Sequence, residues 1–265
     1  MTKSPSVLPV TVLPVTLGGL RVAITGAASG IGRVMADSFR AAGAQPFICD
    51  VDEAALARSG HAGLLADAAR SSEMERFIDA ALAALGGLDV LVNNAGIAGP
   101  TAPIEEIVPE ALERVLAIDL KAMFHCARRA VPALRAAGGG SIINLSSAAG
   151  RFGFALRSPY AAAKWGVVGL TKTLAIELGP AGIRVNAILP GAVAGPRIEA
   201  VIAAKAKAAG ISIAEQTARQ LAAASLRAFV TAEDIANTAL FLASPFGAAI
   251  SGQAIAVDGD LQYMI

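Results

Sequence analysis

Charge is scarce in this sequence: 16% of its 265 residues are Asp, Glu, Lys or Arg, against roughly 25% in an average soluble domain. A chain that covers part of its outside with another subunit needs less charge. Basic runs are missing as well, and the formal net charge is +1, so there is no electrostatic footprint for nucleic acid. Although 55% of the residues are hydrophobic, Gly, Pro or charge interrupts each apolar stretch before the roughly 18–20 residues that a membrane span needs. The expected partner is a small molecule, with no membrane.

Only two cysteines are present, Cys49 and Cys126. They lie far apart without CxxC or metal-ligand spacing, which predicts reduced, buried thiols and a cytoplasmic protein. The two histidines, His61 and His125, have no clustered carboxylates, and no metal is expected. At the N-terminus "VLPVTVLPVT" writes a proline pentapeptide twice, and its prolines break the apolar centre that a signal peptide requires. Residues 1–19 are expected to form a flexible, PPII-like or edge-strand arm.

A chain of 265 residues fits one α/β domain, from Leu20 to the end, better than two small ones. Short β-branched runs alternate with longer helical patterns: "LRVAIT", "QPFICD", "AGLLAD", "LDVLVNNAG", "GSIINLSS", "IRVNAILPG" and "QAIAVDG" are the strand candidates. Seven strands separated by helices predict a doubly wound parallel sheet with helices on both faces. A Ser72/Glu75 capping box is expected to open a helix from Ser72 to Leu85, and Thr231 to cap one running to Ala243. Ligands of such sheets sit beyond the carboxyl ends of the strands.

The first of those ends reads "VAITGAASGIG". Glycines at Gly26, Gly30 and Gly32, with Ser29 and Ile31 between them, let the backbone approach a pyrophosphate at a helix N-terminus. A plain tight turn is the rival reading. Asp50, 24 residues past Gly26 and ending the second strand, supports the first: its carboxylate can accept from the adenosine ribose and repel a 2′-phosphate, which favours NAD over NADP. Arg33 is read as a solvated helix residue. Asp67, expected to end the third strand, either touches the adenine edge or belongs to a surface turn.

"RSPYAAAKWG" holds Tyr160, one of two tyrosines, and Lys164 one helical turn later. A free phenol has a pKa of about 10, and a neighbouring cation favours its ionised form, which makes such a pair a plausible acid/base unit near neutrality. "INLSS" ends a strand 13 residues earlier; adjacent strand residues point oppositely, so only one of Ser146 and Ser147 can face a substrate.

With "TGAASGIG", "NNAG" at Asn93 to Gly96, "SS" at Ser146 and Ser147, "YAAAK" at Tyr160 to Lys164 and "PG" at Pro190 and Gly191 in this order, the chain resembles the short-chain dehydrogenase/reductase family from about Leu20 to Gly259. The resemblance implies a Rossmann-type fold and interconversion of a secondary alcohol and a ketone. It implies that Ser147 hydrogen-bonds the substrate oxygen, that Tyr160 exchanges its proton, and that Lys164 binds the nicotinamide ribose. Asn93, Ala95 and Gly96 would line the far side of the cofactor, with Pro190, Gly191 and Val193 beyond them. A homotetramer, or at least a dimer, is implied too, packed through helices around Arg114 to Ala137 and Tyr160 to Leu178.

Two positions depart from the family pattern. Asp119 stands where an asparagine usually holds a proton-relay water, and either preserves the relay with a shifted pH dependence or is a salt-bridged Asp outside it. Gly195 replaces a threonine that usually holds the carboxamide, leaving backbone groups such as those of Val193 to do so. The segment 196–226 forms the family's substrate lid. Its Arg197, Lys205, Lys207 and Arg219, with Arg227, Arg151 and Arg157 nearby, are read as solvated charges; a basic pocket for a carboxylated or sugar-like substrate is the alternative. An epimerase using the same chemistry, or a cofactor-binding sensor without turnover, are the competing functions.

Overall fold

The computed structural model describes residues 16–264. Most of the expected arm, residues 1–15, lies outside the described residues. Its end does not: Leu17 is buried and its N–H donates to the Ala42 carbonyl, so packing begins before the expected boundary at Leu20.

The elements run β1 (Arg21–Thr25), α1 (Gly30–Ala41), β2 (Gln45–Asp50), α2 (Glu53–Arg58), β3 (Ala62–Leu65), α3 (Ser71–Leu85), β4 (Val90–Asn93), α4 (Pro109–Leu116), α5 (Ala122–Ala136) and β5 (Gly140–Leu145). They continue with α6 (Ser158–Leu178), β6 (Ile183–Pro190), α7 (Pro196–Ala209), α8 (Ile213–Ala222), α9 (Ala232–Ala243) and β7 (Ala254–Val257). All seven strands are parallel, in the order β3-β2-β1-β4-β5-β6-β7. This is the Rossmann-type sheet, and the strand order reverses between β1 and β4, where a crevice opens at the carboxyl ends.

Strand alternation divides the core into two layers. Val22, Ile24, Ile48, Val90 and Val92 face Met35 and Phe39 of α1 and Ile235 and Leu240 of α9. Ala23, Phe47, Cys49 and Leu91 face the other way, toward Met74 and Phe77 of α3 and Cys126 of α5. Phe77 is fully buried, and truncating such a side chain to Ala costs about 3–5 kcal/mol. Both cysteines are free and buried; burial pushes the Cys126 thiol up to about 12, which makes it inert.

The capping box expected at Thr231 is present, with Asp234 as its partner. The one expected at Ser72 is not. Arg70 occupies the cap of α3 without a side-chain bond, Glu73 accepts from the Asp67 N–H at 2.7 Å, and Glu75 pairs with Arg128 of α5. A tertiary ion pair claims the carboxylate that the box required. Among the described residues, no helix is long and apolar enough to cross a membrane, and no group of three or more His, Cys, Asp or Glu could hold a metal.

Candidate active site

The loop after β1 is held open by what glycine lacks. Gly26 has φ 61, in the left-handed region that glycine enters without strain. A Cβ at Gly32 would collide with the Gly26 carbonyl oxygen and the Asn94 amide. Ser29 at the cap of α1 makes no side-chain bond to the helix, so the first-turn N–H groups and the positive end of the helix remain for a ligand. Gly26, Ser29, Gly30, Ile31 and Gly32 line one wall of a groove of about 690 Å³.

Asp50, at the end of β2, lines the same groove. One carboxylate oxygen accepts from the Ala28 N–H at 2.9 Å, and the other from the N–H groups of Val51 and Asp52 at 2.8 and 3.1 Å. Val51 beside it is exposed and apolar. Asp67 also lines the groove, two residues beyond the end of β3, with a carboxylate oxygen accepting from the Ala69 N–H. Arg33 is not simply solvated: it forms part of the groove wall and its Nε stands 2.7 Å from Asp37 Oδ2.

Within "NNAG" the structure divides the residues differently from the expectation. Asn93 is buried away from the groove, its amide donating to Asn144 Oδ1 at 2.8 Å, and Asn144 donates in turn to Thr171 of α6. Asn93 therefore ties β4 to β5, and the structure does not bring it to the groove where the sequence placed it. Asn94, inside the expected stretch Asn93 to Gly96 but not singled out from it, takes that place instead. Its Nδ2 donates to the carbonyls of Thr25 and Gly26 at 2.9 and 2.7 Å, and its N–H and that of Ala95 donate to Thr25 Oγ1. Strand alternation held the signal, since neighbours in a strand face opposite sides. Asn94, Ala95 and Gly96 all line the groove.

A second cavity, of about 120 Å³, is lined by Ser147, Tyr160, Pro190 and Gly191. Val193 and Arg197 line both cavities, so the two adjoin. Ser146 points away: its hydroxyl donates to the Lys164 carbonyl at 2.8 Å and fastens α6 to β5. Lys164 is 3% exposed. Its ammonium donates to the Leu145 carbonyl at 3.0 Å, stands 3.4 Å from Asp119 Oδ2, and lies 5.6 Å from the centre of the Tyr160 ring. Tyr160 and Lys164 thus share one compartment.

Asp119 sits on a π-helical turn, Ala117–Lys121, between α4 and α5. Such turns often mark functional sites. Its Oδ1 accepts from the Ile97 N–H at 2.8 Å, while Oδ2 has no hydrogen bond. Burial pushes this carboxyl up, against the opposing pull of the Lys164 ammonium and the Ile97 N–H.

Gly195 has φ 137 at the start of α7, a conformation in which a threonine would be strained. The neighbours of Val193 bond to Val230, Ala194 through its N–H and Ala192 through its carbonyl. That pattern turns the N–H and carbonyl of Val193 away from the bridge. Of the basic residues in and near the segment 196–226, Arg219 pairs with Glu215 and Arg151 with Asp258. Arg157 is not solvated but buried at the wall of the smaller cavity. Neither histidine lines either cavity.

Comparison with known proteins shows the family. A family described as "Enoyl-(Acyl carrier protein) reductase" matches residues 26–261. A D-beta-hydroxybutyrate dehydrogenase of Rhizobium meliloti (strain 1021) is 36% identical over 89% of this chain and 96% of its own. A galactitol 2-dehydrogenase of Agrobacterium fabrum is 40% identical over 89% and 94%. Among solved structures, a single-residue variant of actinorhodin polyketide ketoreductase with NADPH superposes with a TM-score of 0.88 at 31% identity, covering 93% of this chain and 99% of that one. Such relatives are dehydrogenases and reductases acting on CH–OH groups, and with the matched family they establish that the chain belongs to the short-chain dehydrogenase/reductase family of oxidoreductases.

Proposed function

We propose that this protein interconverts a secondary alcohol and a ketone with NAD, using Tyr160 as the proton-transfer group. The observation that carries the reading is the meeting of the two cavities at Val193 and Arg197, with Ser147 and Tyr160 on the small side and the glycine loop on the large one. The large groove fits a dinucleotide: the space that a Cβ at Gly32 would fill is kept clear, and Asp50 offers a carboxylate to ribose hydroxyls. Asp50 and the exposed Val51, with no cation directly after the acid, favour NAD over NADP.

When bound, the nicotinamide supplies the carbon that accepts or donates hydride. The rest belongs to the chain. Ser147 donates to the substrate oxygen and holds it beside the Tyr160 hydroxyl, which takes the proton during oxidation and returns it during reduction. Lys164, with its ammonium 5.6 Å from the centre of the Tyr160 ring, favours the ionised phenol and would hold the nicotinamide ribose when the cofactor is bound. Asp119 shares the ammonium and takes the place of the family's asparagine in the proton relay. Val193 offers its backbone to the carboxamide.

Assembly is read as a homotetramer, or at least a dimer. Phe124 of α5 and Trp165 and Ile176 of α6 are exposed apolar residues, and α6 is apolar all round, as suits a helix covered on both sides. Two free, buried thiols suit the cytoplasm. The test is turnover: protein with NAD and a panel of polyols, sugars, hydroxy acids and aromatic alcohols should generate reduced cofactor for some of them. Nucleotide binding without turnover across the panel would return the protein to the sensor class.

A further inference from the structure

The geometry points to a carboxylate on the substrate, received by Arg157 with support from Arg197 in the small cavity that holds Ser147 and Tyr160, Lys205 adding its charge from beside Phe154. This rests on the dehydrogenase reading and narrows it to short hydroxy acids and their keto counterparts.

Arg157 is only 3% exposed, yet it lines the cavity. Its guanidinium donates to the Ala98 carbonyl at 2.6 Å and to Thr101 Oγ1 at 3.4 Å, and its Nε is buried without a partner. A guanidinium has five N–H donors, so bracing the 98–101 loop leaves several unused. None of the ion pairs among the described residues includes Arg157, Arg197 or Lys205. A buried, uncompensated cation is costly. Folding alone gives no reason to keep one there.

The positive charges also converge. The Arg157 guanidinium lies 5.2 Å from the centre of the Tyr160 ring and 5.3 Å from that of Phe154, and the Lys205 ammonium lies 4.4 Å from the same Phe154 ring. Arg197 lines the cavity from α7 and donates to the Gly96 carbonyl. Burial, with the repulsion of Arg157, pushes the Lys205 ammonium down to about 8, as expected for cations gathered without an anion. No Asp or Glu lines this cavity.

The remaining lining fixes the class of ligand. Ala148, Ile198, Val201, Leu261 and Met264 are apolar and Gln220 adds one amide; one amide cannot pair the several hydroxyls of a sugar, most of which would face the apolar wall. At about 120 Å³ the cavity is small beside the roughly 300–1,000 Å³ of pockets for drug-sized ligands. A short chain with its carbinol at Ser147 and Tyr160, its carbons against the apolar wall and a carboxylate on the planar Arg157 fork satisfies each wall.

Calorimetry on the NAD-loaded protein with butyrate and its isosteric neutral amide, butyramide, tests the site without needing turnover. Butyrate should bind about ten- to hundredfold tighter, the range of a charge-assisted pair. Arg157→Gln should abolish that ratio and Arg157→Lys restore part of it, which a loop brace alone would not do. Should Arg157→Gln fail to fold, the exposed Arg197→Gln should still lower the ratio. Equal affinity for acid and amide, no detectable butyrate binding, or a ratio indifferent to these substitutions overturns the inference. A turnover series of 3-hydroxybutyrate and 4-hydroxypentanoate against their amides keeps the two readings separate. Neutral alcohols oxidised alongside equal butyrate and butyramide binding would remove the carboxylate site alone. Preferential butyrate binding with no alcohol oxidised would remove the dehydrogenase reading and leave an anion site.

Discussion

The two cavities that meet at Val193 and Arg197 are built by different means. The large groove is shaped by backbone: Gly26 turns in the left-handed region, Gly32 leaves room for the Gly26 carbonyl, and Asp50 is fixed by three backbone N–H groups. The small cavity is shaped by side chains converging from separate parts of the chain, Ser147 after β5, Tyr160 on α6 and Arg197 on α7. A backbone-built site makes the same demand on any sequence that forms it, whereas a side-chain-built one can be recut residue by residue without disturbing the sheet. On the proposed reading, the division separates a general cofactor module from a private substrate pocket.

The most severe test of that division is Tyr160→Phe. If the small cavity carries the proton chemistry, kcat should fall by about 10²–10⁴-fold, the usual worth of a positioned acid/base. Affinity for the dinucleotide should stay within a fewfold, because the glycine loop and Asp50 are untouched. Single-turnover kinetics with calorimetric cofactor binding read both quantities. Full activity in the phenylalanine variant would end the assignment of Tyr160, and a matching loss of cofactor affinity would show the two sides to be one cooperative site.

Asp50→Ser probes the other side with a smaller expected effect. Serine keeps a hydroxyl near the ribose and removes the charge that repels a 2′-phosphate, so the preference for NAD over NADP in kcat/KM should fall by about tenfold or more, on the scale of one charged hydrogen bond. The order of preference among alcohols should not change. A reordered substrate series would mean that the groove reaches further into the small cavity than its lining suggests, and an unchanged NAD preference would move cofactor selection to Arg33 and its neighbours.

The same contrast explains what could be read before the structure. Period-2 patterns such as Val22, Ala23 and Ile24 specify both faces of a buried strand, and the glycine spacing specifies the turn, so the seven strands and most of the dinucleotide groove were legible. Asn93 and Asn94 show the limit. The dipeptide is visible as a motif, but which amide enters the core and which braces the loop depends on where the β4 pleat begins relative to β5. Arg157 shows a different limit: nothing local distinguishes a buried arginine from a solvated one, because its burial comes from Phe154, Tyr160 and the 98–101 loop meeting around it. Ser72 failed as a cap for a related reason, since its box partner Glu75 is taken by Arg128, 53 residues away.

Asp119 lies at the seam between the two sides, bonded to the Ile97 N–H of the groove wall and facing the Lys164 ammonium of α6. Burial raises its carboxyl above the ordinary value, so the folded protein holds this proton more tightly than the unfolded chain. The linked stability is present below the usual carboxylate range and is lost as pH rises through the raised value. Asp119→Asn has no such titration, and its stability relative to the parent should therefore grow in urea denaturation as pH rises above the ordinary carboxylate range. Removing the carboxylate also leaves the Lys164 charge unshared beside Tyr160, which favours phenolate. The rising limb of the alcohol-oxidation profile should move to lower pH. A limb that stays in place while the stability difference appears would make Asp119 a buried counter-ion outside the proton path; a limb that moves would join the groove wall to the proton chemistry of Tyr160 through one carboxylate.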